Sequence, residues 1–406
     1  MRELMGKKFW VALLIAAALI GSVVAVGAIE KNNVMTTEKD ISAAADGGAL
    51  YEQVYEKLCS RGHWLCDLMT YTDKVKDIDT SSVERIFEQA QGCGIIARFS
   101  EQDMEAPLDR RFVAQTTVRA LGYKHRSVGY LADVASLDSD MDTMAYYGYF
   151  LPDINYMVYP DREVKAEEYS ELLTQLSRYR MLRGKTILSF GDSIMFGSGN
   201  NGEGIADMIA EKYGMTAVDY SVPGASVGYR AGRGHIPDQP TLAFTDKIKP
   251  DIILLNGGTN DMNTVTLGNM RNGFDLSQTS ESDFTGGLEK AFWRIQQNWK
   301  DVPVVYIRVH NMDLGDDAKE RLFGERALEV AAKWNAVSID LYTDTDLNTE
   351  LPDICNRYTC LKDDSNYLSD SIHPTALGYA KFYLPQISQA VADQFQSATD
   401  TKTATA

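Results

Sequence analysis

The 406-residue sequence predicts an α/β fold with a mainly parallel sheet in its second half, preceded by a small helical domain and an N-terminal apolar helix. Three observations support this prediction. From Lys185 onward, short β-branched runs alternate with longer helical stretches, which is typical of a parallel sheet covered by helices on both faces. Between Leu50 and Arg183 the pattern is helical, with loops that contain Asp and Gly. Residues 9–29 carry no charged side chain.

The N-terminal segment, residues 1–30, predicts export or membrane anchoring. Arg2, Lys7 and Lys8 precede the uncharged run, and a helix of that length spans roughly 30 Å, close to the thickness of a bilayer core. Because basic residues stay on the inner side of the membrane, we expect everything beyond the run to face outward. The small residues at 25–28 would also allow cleavage as a signal peptide, so a single-pass membrane form and a secreted form both stay open.

The remaining chain divides into four segments. Residues 31–71 begin with a polar, alanine-rich linker over 31–48 and continue as a helical segment. Residues 72–183 form the helical region, and residues 184–395 form the α/β domain. The polar tail at 396–406 is predicted to be disordered.

The helical region contains a weak internal repeat. One copy covers residues 92–123 and the other covers 147–179, with Leu108 and Val164 at corresponding places. The stretch LDRRFVAQTTVRALGY resembles the helix of the S-layer homology repeat, a module that binds secondary cell-wall polymers in its family. The resemblance therefore implies a cell-wall polymer as a partner of residues 72–183. A helical spacer between the membrane and the second domain is the alternative.

This sequence departs from the S-layer pattern at several positions. Arg110 matches the motif arginine of that family, but Phe112 replaces the acidic residue that follows it. In the second copy Ala166 stands where the arginine would fall, and a third copy, around residues 51–62, is weak. These departures put polymer binding in doubt more than they do the helical fold.

Within the α/β region the strands and helices can be placed individually. The strand candidates are residues 186–190, 217–220, 251–256, 302–309 and 336–341, and the main helix candidates are 282–299 and 317–334. In the first of these helices, Leu288, Phe292, Ile295 and Trp299 lie on one face at helical spacing. That face is predicted to pack on the sheet.

Charge and cysteine content exclude some classes of protein. Asp and Glu number 57 against 40 Lys and Arg, so the net charge is -17. An acidic surface repels nucleic-acid phosphates, and nucleic acid is therefore not an expected partner. The five cysteines are too few for a disulfide-rich scaffold. Cys355 and Cys360 could form a local disulfide, and Cys59, Cys66 and Cys93 could supply another pair.

Polar motifs follow the predicted strands. ILSFGDSIMFGSG places Ser193 just past the first strand, DYSVPGASVG places Gly224 after the second, and DIILLNGGTND places Asn260 after the third. Because the carboxyl ends of parallel strands meet at one edge of a sheet, we expect these residues to converge on a crevice. A serine nucleophile needs a base, and the base needs an orienting group. In DSIHP, His373 and Asp370 supply both.

These four blocks resemble, in order, those of the SGNH (GDSL) hydrolase family, and the resemblance covers roughly residues 185–395. It implies a three-layer α/β/α, flavodoxin-like fold. It also implies an ester hydrolase that requires neither a metal nor a cofactor.

The resemblance assigns a role to each block. Ser193 would be the nucleophile, His373 the general base and Asp370 the group that orients the base. The backbone N–H of Ser193, together with Gly224 and Asn260, would form the oxyanion hole. In a more ordinary interpretation, Ser193 caps a helix and Asn260 fills a turn.

The sequence therefore predicts an extracytoplasmic serine esterase acting on ester-bearing small molecules or glycans, such as O-acyl groups of cell-wall or other polysaccharides. Two alternatives stay open. An O-acyltransferase would use the same triad, and a cell-wall-binding protein with a non-catalytic hydrolase domain would not use it at all. Arg233 and His235 lie in a glycine-rich loop that lines either a substrate cleft or the surface, and His310 ends the fourth strand.

Overall fold

A computed structural model describes residues 59–135, 138–361 and 369–404 of the protein. The chain divides into two compact units. The helical unit comprises the chain up to residue 145 together with 152–181, and the α/β unit comprises 146–151 and the chain from 182 onward.

The predicted membrane segment and linker, residues 1–48, lie outside the described residues, so the predictions made for them stay untested. Within the described part of the chain, no helix is both long enough and apolar enough to cross a membrane.

The helical unit is built from short, capped helices. Its described helices are α1 (Arg61–Thr72), α2 (Val83–Gly92), α3 (Glu101–Glu105), α4 (Arg110–Leu121), α5 (Ser139–Tyr146) and α6 (Ala166–Leu182). The first four begin at a Ser or Asp whose side chain accepts a backbone N–H of the first turn, and these capping residues are Ser60, Ser82, Ser100 and Asp109. The helices predicted after Leu108 and Val164 are therefore present as α4 and α6.

The segments that precede α1, α4 and α6 pair with one another. Ser60 forms an antiparallel bridge with Pro107, and Asp109 forms one with Glu163. The backbone N–H of Val164 also donates to the carbonyl of Leu108 at 2.8 Å. Three chain segments of similar form thus meet at the starts of three helices.

Two arginines make equivalent contacts across these segments. Arg61, the first residue of α1, donates to the carbonyl of Pro107 at 3.1 Å and to the Asp109 carboxylate at 2.7 Å. Arg110, the first residue of α4, donates to the carbonyl of Val158 and, at 2.8 Å, to the Glu168 carboxylate. Both arginines thus bind one backbone carbonyl and one carboxylate of the segment that follows in the chain.

The α/β unit is organised around a five-stranded parallel sheet. Its strands are β1 (Thr186–Phe190), β2 (Thr216–Asp219), β3 (Ile252–Asn256), β4 (Val304–Arg308) and β5 (Val337–Asp340). Their order is β2-β1-β3-β4-β5, and every neighbouring pair is parallel. This is the flavodoxin-like order, in which β1 lies between β2 and β3. The predicted parallel α/β fold is confirmed.

Helices cover both faces of the sheet. Leu188 and Phe190 of β1 belong to an apolar core with Leu288 and Phe292. Because successive strand residues point to opposite faces, the fully buried Ile187 shows that the other face is covered as well.

The helices of the α/β unit mostly follow the strands they cover. They are α7 (Ser193–Phe196), α8 (Ile205–Tyr213), α9 (Gln239–Thr245), α10 (Phe284–Asn298), α11 (Asp317–Lys333), α12 (Leu341–Asp344), α13 (Pro352–Tyr358), α14 (Ala376–Gly378) and α15 (Leu384–Ala404). The two long helix predictions agree with α10 and α11 to within two residues at each end. A hairpin of β6 (Thr359–Leu361) and β7 (Ser369–Pro374) precedes α14.

The last helix, α15, extends to Ala404, through the tail for which the sequence predicts disorder. That tail contains neither Gly nor Pro, so no residue in it is a strong helix breaker.

Candidate active site

The turn after β1 presents Ser193 at the carboxyl edge of the sheet. The strand ends at Phe190, and α7 begins at Ser193 with Asp192 as its N-cap. The Asp192 carboxylate accepts the backbone N–H of Ile194 at 3.0 Å. Ser193 is therefore the first residue of the helix rather than its cap, which corrects the ordinary interpretation of this serine.

Two buried side chains fix this turn. Asn256, the last residue of β3, exchanges two hydrogen bonds with Asp192: its amide donates to the carboxylate at 3.1 Å and its oxygen accepts the backbone N–H at 3.2 Å. Gln239 accepts the backbone N–H of Gly191 and donates to its carbonyl, both at 2.8 Å. A Cβ at Gly191 would lie 1.8 Å from the Asn256 side-chain oxygen, so only glycine fits there.

Ser193, His373 and Asp370 form one hydrogen-bonded chain. The Ser193 hydroxyl lies 2.8 Å from His373 Nε2, and His373 Nδ1 lies 2.5 Å from Asp370 Oδ2. An ionised carboxylate can only accept, so the proton is on Nδ1, and Nε2 is left to accept from the serine hydroxyl. Ser193 lies at the start of α7, just after β1, and the other two residues lie in β7, with 180 residues between Ser193 and His373 along the chain.

Four donors converge on the Asp370 carboxylate. Its Oδ1 accepts the backbone N–H groups of Ile372 and His373 at 3.0 and 2.9 Å. Its Oδ2 accepts His373 Nδ1 and, at 3.0 Å, the thiol of Cys360. Burial alone would raise the pKa of Asp370, but these hydrogen bonds outweigh it and hold the pKa well below its usual range. Asp370 is therefore ionised at neutral pH.

Cys360 lies in β6, directly opposite β7. Burial and the neighbouring Asp370 raise the pKa of its thiol to about 12, so the sulfur stays protonated and donates. The ligand atoms of Cys360, Asp370 and His373 lie within 4.8 Å of one another, which is the kind of spacing that can hold a metal ion. Each of these atoms already takes part in the hydrogen-bonded chain described above.

The loops that carry Gly224 and Asn260 are linked to each other and to the turn before Ser193. The N–H of Val222 donates to the carbonyl of Gly191 at 3.1 Å, and the Asn260 amide donates to the carbonyl of Ala225 at 2.9 Å. Gly224 has φ +77°, a left-handed conformation that favours glycine. The Asn260 side chain thus uses one of its two amide hydrogens within the loop and keeps one for another acceptor.

Two backbone donors at this edge are unused. In the described part of the chain, the N–H groups of Ser193 and Gly224 donate to no protein acceptor. The structure thus brings the predicted oxyanion residues to adjacent loops, because β1 lies between β2 and β3 in the sheet.

Asp261 holds the loop after β2 through hydrogen bonds to its backbone. It is fully buried, and its two carboxylate oxygens accept the N–H groups of Val227 and Gly228 at 3.0 and 2.7 Å. Burial raises its pKa to about 6, and the two backbone N–H bonds oppose that rise. Nothing in the sequence pattern distinguishes this aspartate from an ordinary turn residue.

The remaining candidate residues lie around the site. His310 is fully buried, its Nδ1 is 2.6 Å from the Tyr383 hydroxyl, and burial lowers its pKa to about 3, so it is neutral. His235 is buried and bonded to Asp238 at 3.0 Å, so it does not line an open cleft. Arg233 is exposed on the same loop.

All five cysteines are free thiols, so the disulfide predicted between Cys355 and Cys360 is wrong. The two sulfurs have different partners: Cys355 Sγ lies 2.9 Å from the Ser369 hydroxyl, whereas Cys360 Sγ faces Asp370. Spacing along the chain does not reveal that difference in direction.

Sequence reasoning missed Asn256, Gln239, Asp261 and Cys360. The sequence gives one indication of Asn256, since it is a polar residue at the end of the otherwise apolar run IILLN. No sequence pattern indicated the roles of the other three residues.

Residues 189–381 match the profile of the GDSL-like Lipase/Acylhydrolase family. No curated protein matches the chain. Among solved structures, the esterase EstA from Pseudoalteromonas sp., inhibited by monoethylphosphonate, is 16% identical over 53% of this chain and 99% of its own, with a TM-score of 0.35.

Two further solved structures are similar. A carbohydrate esterase family 2 enzyme with a carbohydrate binding domain, from Corynascus thermopiles (Myceliophthora fergusii), is 16% identical over 54% of this chain and 68% of its own, with a TM-score of 0.36. A member of the lipolytic protein G-D-S-L family from Veillonella parvula is 21% identical over 48% of this chain and 94% of its own, with a TM-score of 0.33.

Proposed function

We propose that residues 189–381, which match the GDSL-like Lipase/Acylhydrolase family, hydrolyse carboxylic esters through an acyl-enzyme on Ser193. One observation carries the proposal: the Ser193 hydroxyl, the His373 ring and the Asp370 carboxylate form a continuous hydrogen-bonded chain with distances of 2.8 and 2.5 Å. A nucleophile in contact with a base that is itself oriented by a carboxylate is the arrangement that acyl transfer requires.

The proposed reaction has two halves. His373 Nε2 accepts the Ser193 proton as the oxygen attacks the ester carbonyl, and Asp370 stabilises the imidazolium that forms. The tetrahedral intermediate collapses when His373 returns the proton to the leaving alcohol, which leaves an acyl group on Ser193. A water molecule, deprotonated by His373, then releases the acid and restores the serine.

Negative charge develops on the carbonyl oxygen in each half. The backbone N–H groups of Ser193 and Gly224 and the second amide hydrogen of Asn260 are proposed to stabilise it. Within the described residues these two N–H groups donate to no protein acceptor, which supports this role. The loss of one such donor typically costs about 2.7–4 kcal/mol of transition-state stabilisation.

The test is Ser193→Ala in the full chain. We expect kcat on p-nitrophenyl esters to fall on the order of 10⁶-fold. A fluorophosphonate probe should label the native protein at Ser193, as identified by peptide mass spectrometry. Ser198→Ala, which changes an exposed serine five positions away, is the matched control. Full activity in Ser193→Ala, or labelling at another residue, would refute the nucleophile assignment.

We further propose that residues 1–30 hold this domain at the outer side of the membrane, where O-acylated glycans would be its substrates. The basic residues before the apolar run support that topology. Fractionation of cells with and without residues 1–30, followed by protease treatment of intact cells stripped of any outer barrier, tests it. A protease-resistant catalytic domain would contradict the topology, and free secretion with a new N-terminus near Ala28 would mean a cleaved signal peptide.

A second candidate function belongs to the helical unit, for which we propose binding of an anionic cell-wall polymer. The supporting observation is a cavity of about 290 Å³ whose lining includes four arginines and several aromatic rings, namely Arg61, Arg98, Arg111, Arg119, Phe87, Phe99 and Phe112. Arg61 and Arg111 are paired with carboxylates. Within the described residues, Arg98 and Arg119 have no carboxylate at salt-bridge distance, which leaves two cations for a ligand.

The polymer proposal is tested with purified wall polysaccharide and the full chain. We expect the double variant Arg98→Gln/Arg119→Gln to sediment less with the polymer, and raised salt to weaken binding of the native protein. Arg85→Gln removes an exposed arginine that does not line the cavity and is the control. Equal sedimentation of all three proteins would exclude the cavity as the binding site.

A further inference from the structure

Two arginines stand beside the residues proposed to form the oxyanion hole. A Cβ built on Gly224 would lie 3.3 Å from Arg233 Nη1, so the guanidinium group rests almost against this glycine. Arg230 Nη1 donates to the backbone carbonyl of Asn260 at 3.4 Å. The two loops that supply Gly224 and Asn260 thus each have a cation in contact with them.

The charge of these arginines is largely uncompensated. Within the described part of the chain, neither has a carboxylate at salt-bridge distance, in contrast to Arg294, which pairs with Asp238, and Arg308, which pairs with Asp340. The nearby buried Asp261 already accepts two backbone N–H groups. Both guanidinium groups are therefore available to an anionic ligand.

The backbone of the loop fixes where these side chains begin. The N–H of Ser226 donates to the carbonyl of Gly234 at 3.0 Å, and the N–H of Ile236 donates back to the carbonyl of Ser226 at 2.9 Å. The N–H of Arg233 donates to the carbonyl of Arg230 at 3.2 Å, which closes a turn between the two arginines. Both guanidinium groups therefore start from one compact loop rather than from separate, independently moving segments.

From this arrangement we propose that the ester substrate carries an anionic group near its scissile bond, and that Arg233, with Arg230 as a second cation, binds it. This inference rests on the proposed function, because it places the anion next to the ester carbonyl. A guanidinium group matches a carboxylate with two parallel hydrogen bonds, which makes arginine well suited to this task. The anion can belong to the acyl part of the ester or to its alcohol part, and the experiment separates the two.

The experiment compares kcat/KM for two matched pairs of esters on the full chain. For charge on the acyl part, the pair is 4-nitrophenyl hydrogen succinate and 4-nitrophenyl butyrate. For charge on the alcohol part, the pair is 4-acetoxybenzoate and 4-acetoxybenzamide. We expect the native protein to prefer the anionic member of one pair, and the pair in which it does so identifies the part that carries the anion.

In Arg233→Gln we expect the anionic-to-neutral ratio of kcat/KM to fall about tenfold, which corresponds to the loss of one charge-assisted contact. Arg230→Gln should lower the ratio less, and Arg233→Lys should restore part of it. Arg321→Gln, which changes an exposed arginine of α11, should leave the ratio at the native value. A native preference for the neutral ester in both pairs, or an unchanged ratio in Arg233→Gln, would overturn the proposal.

A second readout does not depend on hydrolysis. Ser193→Ala is titrated by calorimetry with succinate and with benzoate, with and without Arg233→Gln. Binding that weakens about tenfold when Arg233 is replaced supports the anion site even if the native protein cleaves none of the four esters, a result that would count against the proposed function alone. Binding that is absent, or unaffected by Arg233→Gln, overturns the anion site whatever the esterase activity.

Discussion

The helical unit and the α/β unit hold their buried polar groups in different ways. In the helical unit, Arg61 and Arg110 each begin a helix, and each binds a backbone carbonyl and a carboxylate of the following segment. In the α/β unit, Asn256 and Gln239 each form two hydrogen bonds with the turn before Ser193, and these contacts are not part of a repeat. A repeated contact leaves a period in the sequence, whereas a single contact between distant residues leaves none. Substitutions in each unit can sharpen or break this comparison.

The largest effect is expected from Asp370→Asn, which removes an unrepeated contact of the α/β unit. The amide would not stabilise the protonated His373 and would favour the wrong tautomer of the ring, so kcat should fall by about 10⁴-fold. Steady-state kinetics on p-nitrophenyl esters measures this, with Asp353→Asn, an exposed aspartate of α13, as the control. A normal kcat in Asp370→Asn would show that another group orients His373.

The next effect is expected from Arg110→Ala, which removes a contact of the repeated kind. Its side chain is 11% exposed and its partner Glu168 is 20% exposed, so the variant removes the buried cation of this carboxylate and leaves it only the half-exposed Arg162 at 3.2 Å. We expect a local loss of about 2–4 kcal/mol, seen as faster hydrogen exchange in α4.

The matched control for Arg110→Ala is Arg85→Ala. Arg85 pairs with Glu88 on the surface, where the side chains are 59% and 45% exposed, and such an exposed pair contributes little to stability. If the two variants changed hydrogen exchange equally, the repeated arginine contact would not stabilise the helical unit.

A smaller and pH-dependent effect is expected from Asp67→Asn in α1. Burial raises the pKa of Asp67 to about 6, although the hydroxyl of Tyr169 donates to it at 2.6 Å and opposes that rise. The folded protein therefore binds a proton more tightly than the unfolded chain does. Stability falls as the pH rises from about 4 to about 6, and the full cost is present above that window.

The asparagine variant does not ionise, and its side-chain oxygen still accepts from Tyr169. We therefore expect its free energy of unfolding to exceed that of the native protein by about 1–3 kcal/mol at pH 8. At pH 4 the two free energies of unfolding should be equal. Denaturant titrations at the two pH values, with the exposed Asp77→Asn as control, provide the measurement. A difference that is the same at both pH values would rule out ionisation of Asp67 as the cause.

The smallest effect is expected from Cys360→Ala. The variant removes one of the four donors that hold the Asp370 carboxylate, so kcat/KM should fall. We expect a fall of about twofold, equivalent to about 0.5 kcal/mol, because a thiol is a weak donor. Cys360→Ser keeps a donor and should keep the native kcat/KM. Equal falls in both variants would mean that packing, and not the donated hydrogen bond, is responsible.

The sheet could be predicted closely because its signal is local. Each of β1 to β5 is a short apolar or β-branched run between helical patterns, and the predicted bounds agree with the observed ones to within two residues. Ser193 was identifiable because its motif coincides with the end of β1, and Asp370 and His373 were identifiable from the motif DSIHP alone. The structure brings them into hydrogen-bonding contact, and their catalytic roles stay a prediction.

The supporting residues could not be predicted because their partners are chosen by the fold. Gln239 is 48 residues from Gly191, and Asn256 is 64 residues from Asp192. Which of these pairs meet depends on β1 lying between β2 and β3, and strand order is not written in any local pattern. The role of Cys360 could not be predicted for a related reason. Its spacing from Cys355 suggested a disulfide, whereas the β6–β7 hairpin places its sulfur beside Asp370.

The two hydrogen bonds between Gln239 and Gly191 have a consequence for the rate of reaction. Its carboxamide offers the glycine one acceptor and one donor, as a peptide group of a neighbouring strand would, so the loop before Ser193 is bonded like part of a sheet. A segment held in this way does not reorganise as the ester approaches, and the activation free energy contains no contribution from ordering it. The amide hydrogen of Gly191 should accordingly exchange with deuterium as slowly as those of β1 itself.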